Sequence, residues 1–262
     1  MSFPGGAPGA PEPLHKGQKA SNKGAAIMNW GIPSIVVWEP LKAGANRKAI
    51  MLCPGGAYAN ICTDWRPQVD GFLKDGFVVF MLKYRTVPGW RECEAYSLLD
   101  AKRAIRFIRT YAPHYGIDPN FIGVAGSSAG ANLVLNLITH PDAGNPKAED
   151  ILERPGSQVA FAVMLSPWPT PANRPVSYYP INKDTPPGFI ATAKDDTGAP
   201  PSWAVAISDT YEKEGIPHFL LQVEKGGHGA FDTSKPDAED WRTLFMKWLE
   251  KISPEIAKRS QP

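Results

Sequence analysis

Cysteine, charge imbalance and long apolar runs are all scarce in this chain, and each scarcity removes a class of protein. Three cysteines, Cys53, Cys62 and Cys93, cannot all pair with one another, and no two stand at the C-x-x-C spacing of a metal or redox site. A disulfide scaffold is excluded, and a reduced, cytoplasmic protein is expected. Lysine and arginine number 28 against 26 acidic residues, a formal net charge of +2. That balance provides no electrostatic footprint for nucleic acid or an anionic membrane, so a small molecule is the expected partner. No apolar run is long enough to span a bilayer, and the opening MSFPGGAPGAPEPLHKGQKASNKG lacks the apolar core of a signal peptide. Internal repeats are absent as well.

What is present is a large apolar share, 43% of 262 residues, which suits one α/β domain with a well-buried core. Residues 1–25, rich in proline, glycine and lysine, are expected as a flexible tail or a strap on the domain, which then occupies 26–262. Short apolar runs bounded by turn residues read as strands: 34–38, 49–53, 77–82, 122–125, 159–165, 188–193 and 219–223. Helical spacing appears over 66–74, 98–111, 202–214 and 237–252. Alternation of this kind predicts a mostly parallel, doubly wound sheet flanked by helices, with a small lid or none. Residues 166–187 are too rich in proline for a helix and are expected as a loop crossing the carboxyl edge of the sheet and bordering the site.

The chemistry centres on Phe121 to Asn132, FIGVAGSSAGAN. An apolar strand runs into Gly-Ser-Ser-Ala-Gly and then directly into a helical pattern, so Ser128 falls at the apex of a sharp strand-to-helix turn. A serine hydroxyl is a weak nucleophile until a base takes its proton. Among five histidines, His228 in Lys225-Gly226-Gly227-His228-Gly229 follows a strand directly and is presented at the carboxyl edge. The orienting acid belongs between serine and histidine in the order Ser, Asp, His. Asp195 and Asp196 follow the 188–193 strand there; adjacent side chains point different ways, so only one of the two reaches the imidazole, and Asp196 is the choice, with Asp195 the alternative. Cys53-Pro54-Gly55-Gly56-Ala57-Tyr58 follows the 49–53 strand. There the backbone N–H groups of Gly56 and Ala57, with that of Ala129, form a candidate oxyanion hole. Ser127 and the loop aromatics Tyr58, Trp168, Tyr178 and Tyr179 are the pocket candidates, although the aromatics equally suit packing of the loops onto the domain.

Together these motifs resemble a serine esterase of the α/β-hydrolase fold, most nearly the acetyl-xylan esterase and hemicellulolytic esterase-like group. The likeness rests on CPGGAY, the Leu-Lys-Tyr-Arg strand end at 82–85, GSSAG, Pro-Pro-Gly-Phe at 186–189, the Asp-Asp pair and Gly-Gly-His-Gly. It implies nucleophile Ser128, base His228, acid Asp196, and short-acyl ester cleavage through an acyl enzyme, with no cofactor and no metal. One departure is Ala57, where many relatives carry a third glycine. Amidases, formamidases, lyases and cyclases share this fold, as does a non-enzymatic receptor, and the intact triad and oxyanion turn speak against the last. The base must be neutral to act, so activity is expected to rise as the imidazole loses its proton.

Overall fold

A strand whose residues are apolar on both faces is stable only when both faces are covered. The computed structural model describes residues 19–21, 26–28, 31–41, 47–62, 65–86, 90–170, 173–233 and 240–259. In chain order the elements are β1 (Lys19–Ser21), β2 (Ala26–Met28), β3 (Ser34–Trp38), β4 (Arg47–Cys53), β5 (Asn60–Cys62), α1 (Arg66–Lys74), β6 (Val78–Lys83), α2 (Trp90–Thr110), α3 (Ala112–Tyr115), β7 (Ile117–Ser127), α4 (Ala129–Thr139), β8 (Phe161–Leu165), β9 (Gly188–Ala193), α5 (Pro201–Lys213), β10 (His218–Val223) and α6 (Trp241–Arg259).

Seven strands form one sheet in the order β10-β9-β8-β7-β4-β6-β3. Every neighbouring pair is parallel except β3 with β6. Side chains alternate between the two faces with the strand period. Met51, Phe80, Val124, Met164 and Ile190 pack on one side with residues of α2, α4 and α5. Ile50, Leu52, Val79, Val163 and Phe189 pack on the other with α1 and α6, where Phe72, Trp241 and Phe245 meet edge to face or tilted. The sheet is therefore the middle of three layers, as the doubly wound pattern predicts. Among the described residues, no helix is long and apolar enough to cross a membrane.

Several boundaries differ from the expectation, for identifiable reasons. Helix α2 begins at Trp90, well ahead of 98; the buried residues of its early turns include the polar Glu94 and Ser97, which interrupt the apolar pattern there. Ser97 and Asp100 are fully buried; Ser97 donates to the Cys93 carbonyl at 2.5 Å, and Asp100 pairs with Arg85 at 2.6 Å. Burial pushes the Asp100 carboxyl up against the downward pull of the Arg85 guanidinium. Strand β7 starts at Ile117 rather than 122, its first residues too polar to mark it. Helix α6 runs on to Arg259 with Pro254 inside it, and 237–239 lie outside the described residues.

A second, three-stranded antiparallel sheet, β1-β2-β5, has no counterpart in the expectation. Its strands are three residues long, too short for alternation to show. The segment expected as a tail through residue 25 therefore contains a strand, Lys19–Ser21, while 1–18 lie outside the described residues.

Candidate active site

Parallel register delivers the site to one edge of the sheet. Cys53 lies beside Gly126, Ser127 beside Leu165, Leu165 beside Ala191, and Ala193 beside Val223. The turns that follow β4, β7, β8, β9 and β10 thus leave the sheet side by side at its carboxyl edge, where ligands of open α/β sheets bind.

Ser128 occupies the turn between β7 and α4 with φ 56° and ψ −122°, a conformation uncommon for a residue with a side chain. Its N–H donates to the Leu165 carbonyl at 3.0 Å, and its own carbonyl accepts from Ala131 and Asn132 at 3.0 and 3.1 Å. The flanking glycines let the backbones approach. A Cβ on Gly126 would lie 2.8 Å from the Ala131 nitrogen, and one on Gly130 would lie 2.6 Å from the Pro54 carbonyl oxygen. The elbow helix thus packs directly onto the backbone of the turn after β4, as the G-x-S-x-G spacing anticipates.

His228 sits in a single 3-10 turn, Gly227–Gly229, with its side chain 39% exposed. Its Nδ1 lies 3.0 and 3.1 Å from the two carboxylate oxygens of Asp196, whose side chain is fully buried. Asp196 Oδ1 also accepts from the backbone N–H groups of Gly198 and Ala199, both at 2.8 Å, which fixes the carboxylate in place. Asp195 points the other way and accepts from the N–H groups of Gly226 and Gly227 at 3.2 and 2.8 Å. One carboxylate therefore orients the imidazole, and its neighbour holds the loop that carries it. The second task is invisible in the sequence, where the two aspartates differ only by position.

In the turn after β4, Gly56, Ala57 and Tyr58 all have positive φ, at 130°, 52° and 58°. Among the described residues, the N–H groups of Gly56 and Ala57 donate to no protein acceptor. Ala129 opens α4, and an N–H in the first turn has no partner within its helix. A cavity of about 470 Å³ collects Gly56, Ala57, Ser127, Ser128 and His228 on one surface. Its remaining wall includes Asn60, Cys62, Trp65, Gln68, Leu165, Ser166 and Phe231, which the sequence motifs do not mark. Leu165 and Ser166 end a strand at the same edge as the serine, and that position is the signal by which they could be found. Trp65 and Gln68 belong to a segment whose helical spacing marks only the buried face of α1.

The four aromatics do not line this cavity. Tyr58 is completely buried and donates its hydroxyl to Asn132 Oδ1 at 2.9 Å. Tyr179, also buried, accepts from Asn132 Nδ2 at 2.8 Å and packs on Trp203. Trp168 lies against the core while its main-chain N–H donates to the Ser128 carbonyl at 3.3 Å, and Tyr178 faces solvent beneath the Arg174 guanidinium. Packing, the other reading open to these residues, describes Tyr58, Trp168 and Tyr179, while Tyr178 is exposed. Of the described residues of the loop at 166–187, only Ser166 lines the cavity, while Arg174 and Tyr179 contact Trp203 of α5. Among the described residues, no cluster of three or more His, Cys, Asp or Glu side chains has the arrangement to hold a metal ion.

Strand order, elbow and edge site define an α/β-hydrolase fold, and the chain is similar throughout that architecture to esterases of the fold. Residues 36–149 match the BD-FAE family model, a span that includes the turn after β4 and the elbow but ends before Asp196 and His228. Endo-1,4-beta-xylanase B of Butyrivibrio fibrisolvens is 27% identical over 70% of this chain and 32% of its own length. Esterase LipQ of Mycobacterium tuberculosis is 25% identical over 75% of this chain and 53% of its own. The chain thus spans about half or less of the curated relatives it matches. The solved acetyl ester-xyloside bifunctional hydrolase from Caldicellulosiruptor lactoaceticus is 29% identical, with a TM-score of 0.77 over 85% of this chain and 89% of that one.

Proposed function

We propose that the chain is a carboxylic ester hydrolase that cleaves short acyl esters through a serine-bound acyl intermediate. One observation carries the reading. Ser128, held at a positive-φ elbow, shares a cavity with an imidazole whose Nδ1 lies 3.0 Å from a fully buried carboxylate. In the first step Ser128 Oγ attacks the ester carbonyl carbon while His228 Nε2 takes the hydroxyl proton, and Nδ1–H donates to Asp196 throughout. Negative charge then gathers on the carbonyl oxygen, where the N–H groups of Gly56, Ala57 and Ala129 receive it. Collapse breaks the bond to the alcohol, which leaves with the proton from His228. Water repeats the sequence on the acyl serine, releasing the acid and restoring the free hydroxyl.

Among the described residues, no long insertion between the strands is available as a lid over the cavity, which favours a short acyl group over a lipid chain. The Caldicellulosiruptor hydrolase, named for an acetyl ester, agrees with that preference. The test compares p-nitrophenyl acetate, butyrate and octanoate in the wild-type protein and in Ser128→Ala. Acetate or butyrate should exceed octanoate by more than tenfold in kcat/KM, and Ser128→Ala should fall to the uncatalysed rate. Retained turnover in Ser128→Ala overturns the mechanism, an octanoate preference overturns the acyl length, and cleavage of formanilide without cleavage of acetate moves the chemistry to amides.

A further inference from the structure

Two consecutive residues with side chains, Ala57 and Tyr58, are held at positive φ in the turn that carries the candidate oxyanion donors. Such backbone is strained for a residue with a side chain and persists only where the surroundings over-determine it. The restraints are visible at both ends of the turn. Upstream, the fully buried Tyr84 donates its hydroxyl to the Pro54 carbonyl at 2.6 Å. Downstream, the fully buried Tyr58 donates to Asn132 Oδ1 at 2.9 Å, and its ring meets that of Tyr84 edge to face with centroids 5.9 Å apart. Asn132 lies one helical turn beyond Ser128 and donates its own N–H to the Ser128 carbonyl at 3.1 Å. Its amide is locked, because Nδ2 donates to Tyr179 while Oδ1 also accepts from Asn136 at 3.3 Å.

We infer that Tyr58 and Asn132 are positioning residues whose shared hydrogen bond sets the oxyanion turn against the nucleophile's helix; this rests on the acyl-transfer reading above. Neither residue lines the cavity, so neither touches substrate. The bond ties the turn carrying Gly56 and Ala57 to the helix carrying Ser128, and so fixes the gap across which the developing oxyanion is held. Burial raises the Tyr58 phenol well above its ordinary range, so the hydroxyl remains a donor at every working pH.

Tyr58→Phe keeps the ring and its packing and removes only the donor, and Asn132→Ala removes the acceptor. In each, kcat/KM for p-nitrophenyl acetate should fall tenfold to a hundredfold through kcat, with KM within threefold and the shape of the pH profile unchanged. That is less than the roughly 10² to 10³ lost when an oxyanion donor is removed outright. The inhibition constant of a trifluoromethyl ketone, which forms the tetrahedral adduct, should rise by the same factor as kcat/KM falls. Tyr58→Phe breaks only the bond that Asn132→Ala also breaks, while Asn132→Ala further removes the partners of Tyr179 and Asn136; the double variant should therefore be no worse than Asn132→Ala alone, and either single suffices if the other fails to fold. The inference is overturned by kcat/KM within threefold of wild type, by a loss carried by KM, or by losses that multiply in the double variant. A wild-type protein that hydrolyses no ester, or a Ser128→Ala that still does, instead overturns the acyl-transfer reading and the inference with it.

Discussion

Gly130→Ala places a single methyl where the elbow helix touches the turn after β4. The new Cβ would stand 2.6 Å from the Pro54 carbonyl oxygen and 2.7 Å from the Cys53 carbonyl carbon, both main-chain atoms. Comfortable separation between carbon atoms is about 3.5 to 4.0 Å, and the Cys53 carbonyl oxygen stands closer still to the new Cβ, so α4 and the turn must part by at least about 1 Å. Neither neighbour can rotate away, since Tyr84 ties Pro54 down and Ser128 is bound to Leu165. Overpacking of this kind costs about 1 to 3 kcal/mol, read as a lowered midpoint in thermal or urea unfolding. The larger effect falls on chemistry. Parting the nucleophile's helix from the oxyanion donors by about 1 Å should lower kcat by about a hundredfold. Steady-state hydrolysis of p-nitrophenyl acetate, with unfolding followed by circular dichroism, measures both. A Gly130→Ala protein with kcat within threefold and an unchanged midpoint would refute the close packing on which the site is built.

Other consequences are sharp enough to measure. Asp196→Asn should lower kcat by about 10³ to 10⁴, because the amide favours the wrong imidazole tautomer. Asp195→Asn keeps an acceptor oxygen for the Gly227 N–H and should lose only a few-fold, so equal losses would contradict the division of labour between them. Arg103, with its side chain 4% exposed, bridges Asp150 and Glu153 at 2.7 and 2.5 Å and holds the Asp150 carboxyl below its ordinary range. A carboxylate held low stabilises the fold above its unfolded pKa, and that stabilisation is lost as pH falls through the folded value. Arg103→Leu should therefore cost about 1 kcal/mol near pH 7 and progressively less below pH 4; urea unfolding showing a constant gap would refute this. Burial raises the Cys53 thiol, so it should resist iodoacetamide in the native protein and react once unfolded, as peptide mapping would reveal.

The parts of the fold that are readable in the sequence are those where one physical signal dominates. Strands β3 and β9 and helix α1 occupy the residues their apolar patterns mark, because uninterrupted or periodic apolar side chains there have no competing role. Helix α2 reads short because Glu94 and Ser97, ahead of residue 98, satisfy their polarity internally on a buried face, which breaks the apolar period without breaking the helix. The small β1-β2-β5 sheet carries no periodic signal at all. In the site, Ser128, Asp196 and His228 are readable because each follows a strand at the same edge. The destination of Tyr58 and Tyr179 is not, since a loop aromatic satisfies burial or binding equally well until a partner such as Asn132 is known. Trp65 and Gln68 reach the cavity from the start of α1, whose own motif carries no chemical signature.

The most direct test of the central claim is a covalent one. Treatment with a fluorophosphonate, followed by intact-mass and peptide mass spectrometry, should give one adduct on the peptide that contains Ser128. Labelling should be lost in Ser128→Ala, and in wild type the residual ester hydrolysis should fall in step with the fraction labelled. An adduct on any other residue, or full inhibition with Ser128 unmodified, would contradict an acyl-transfer site at the elbow.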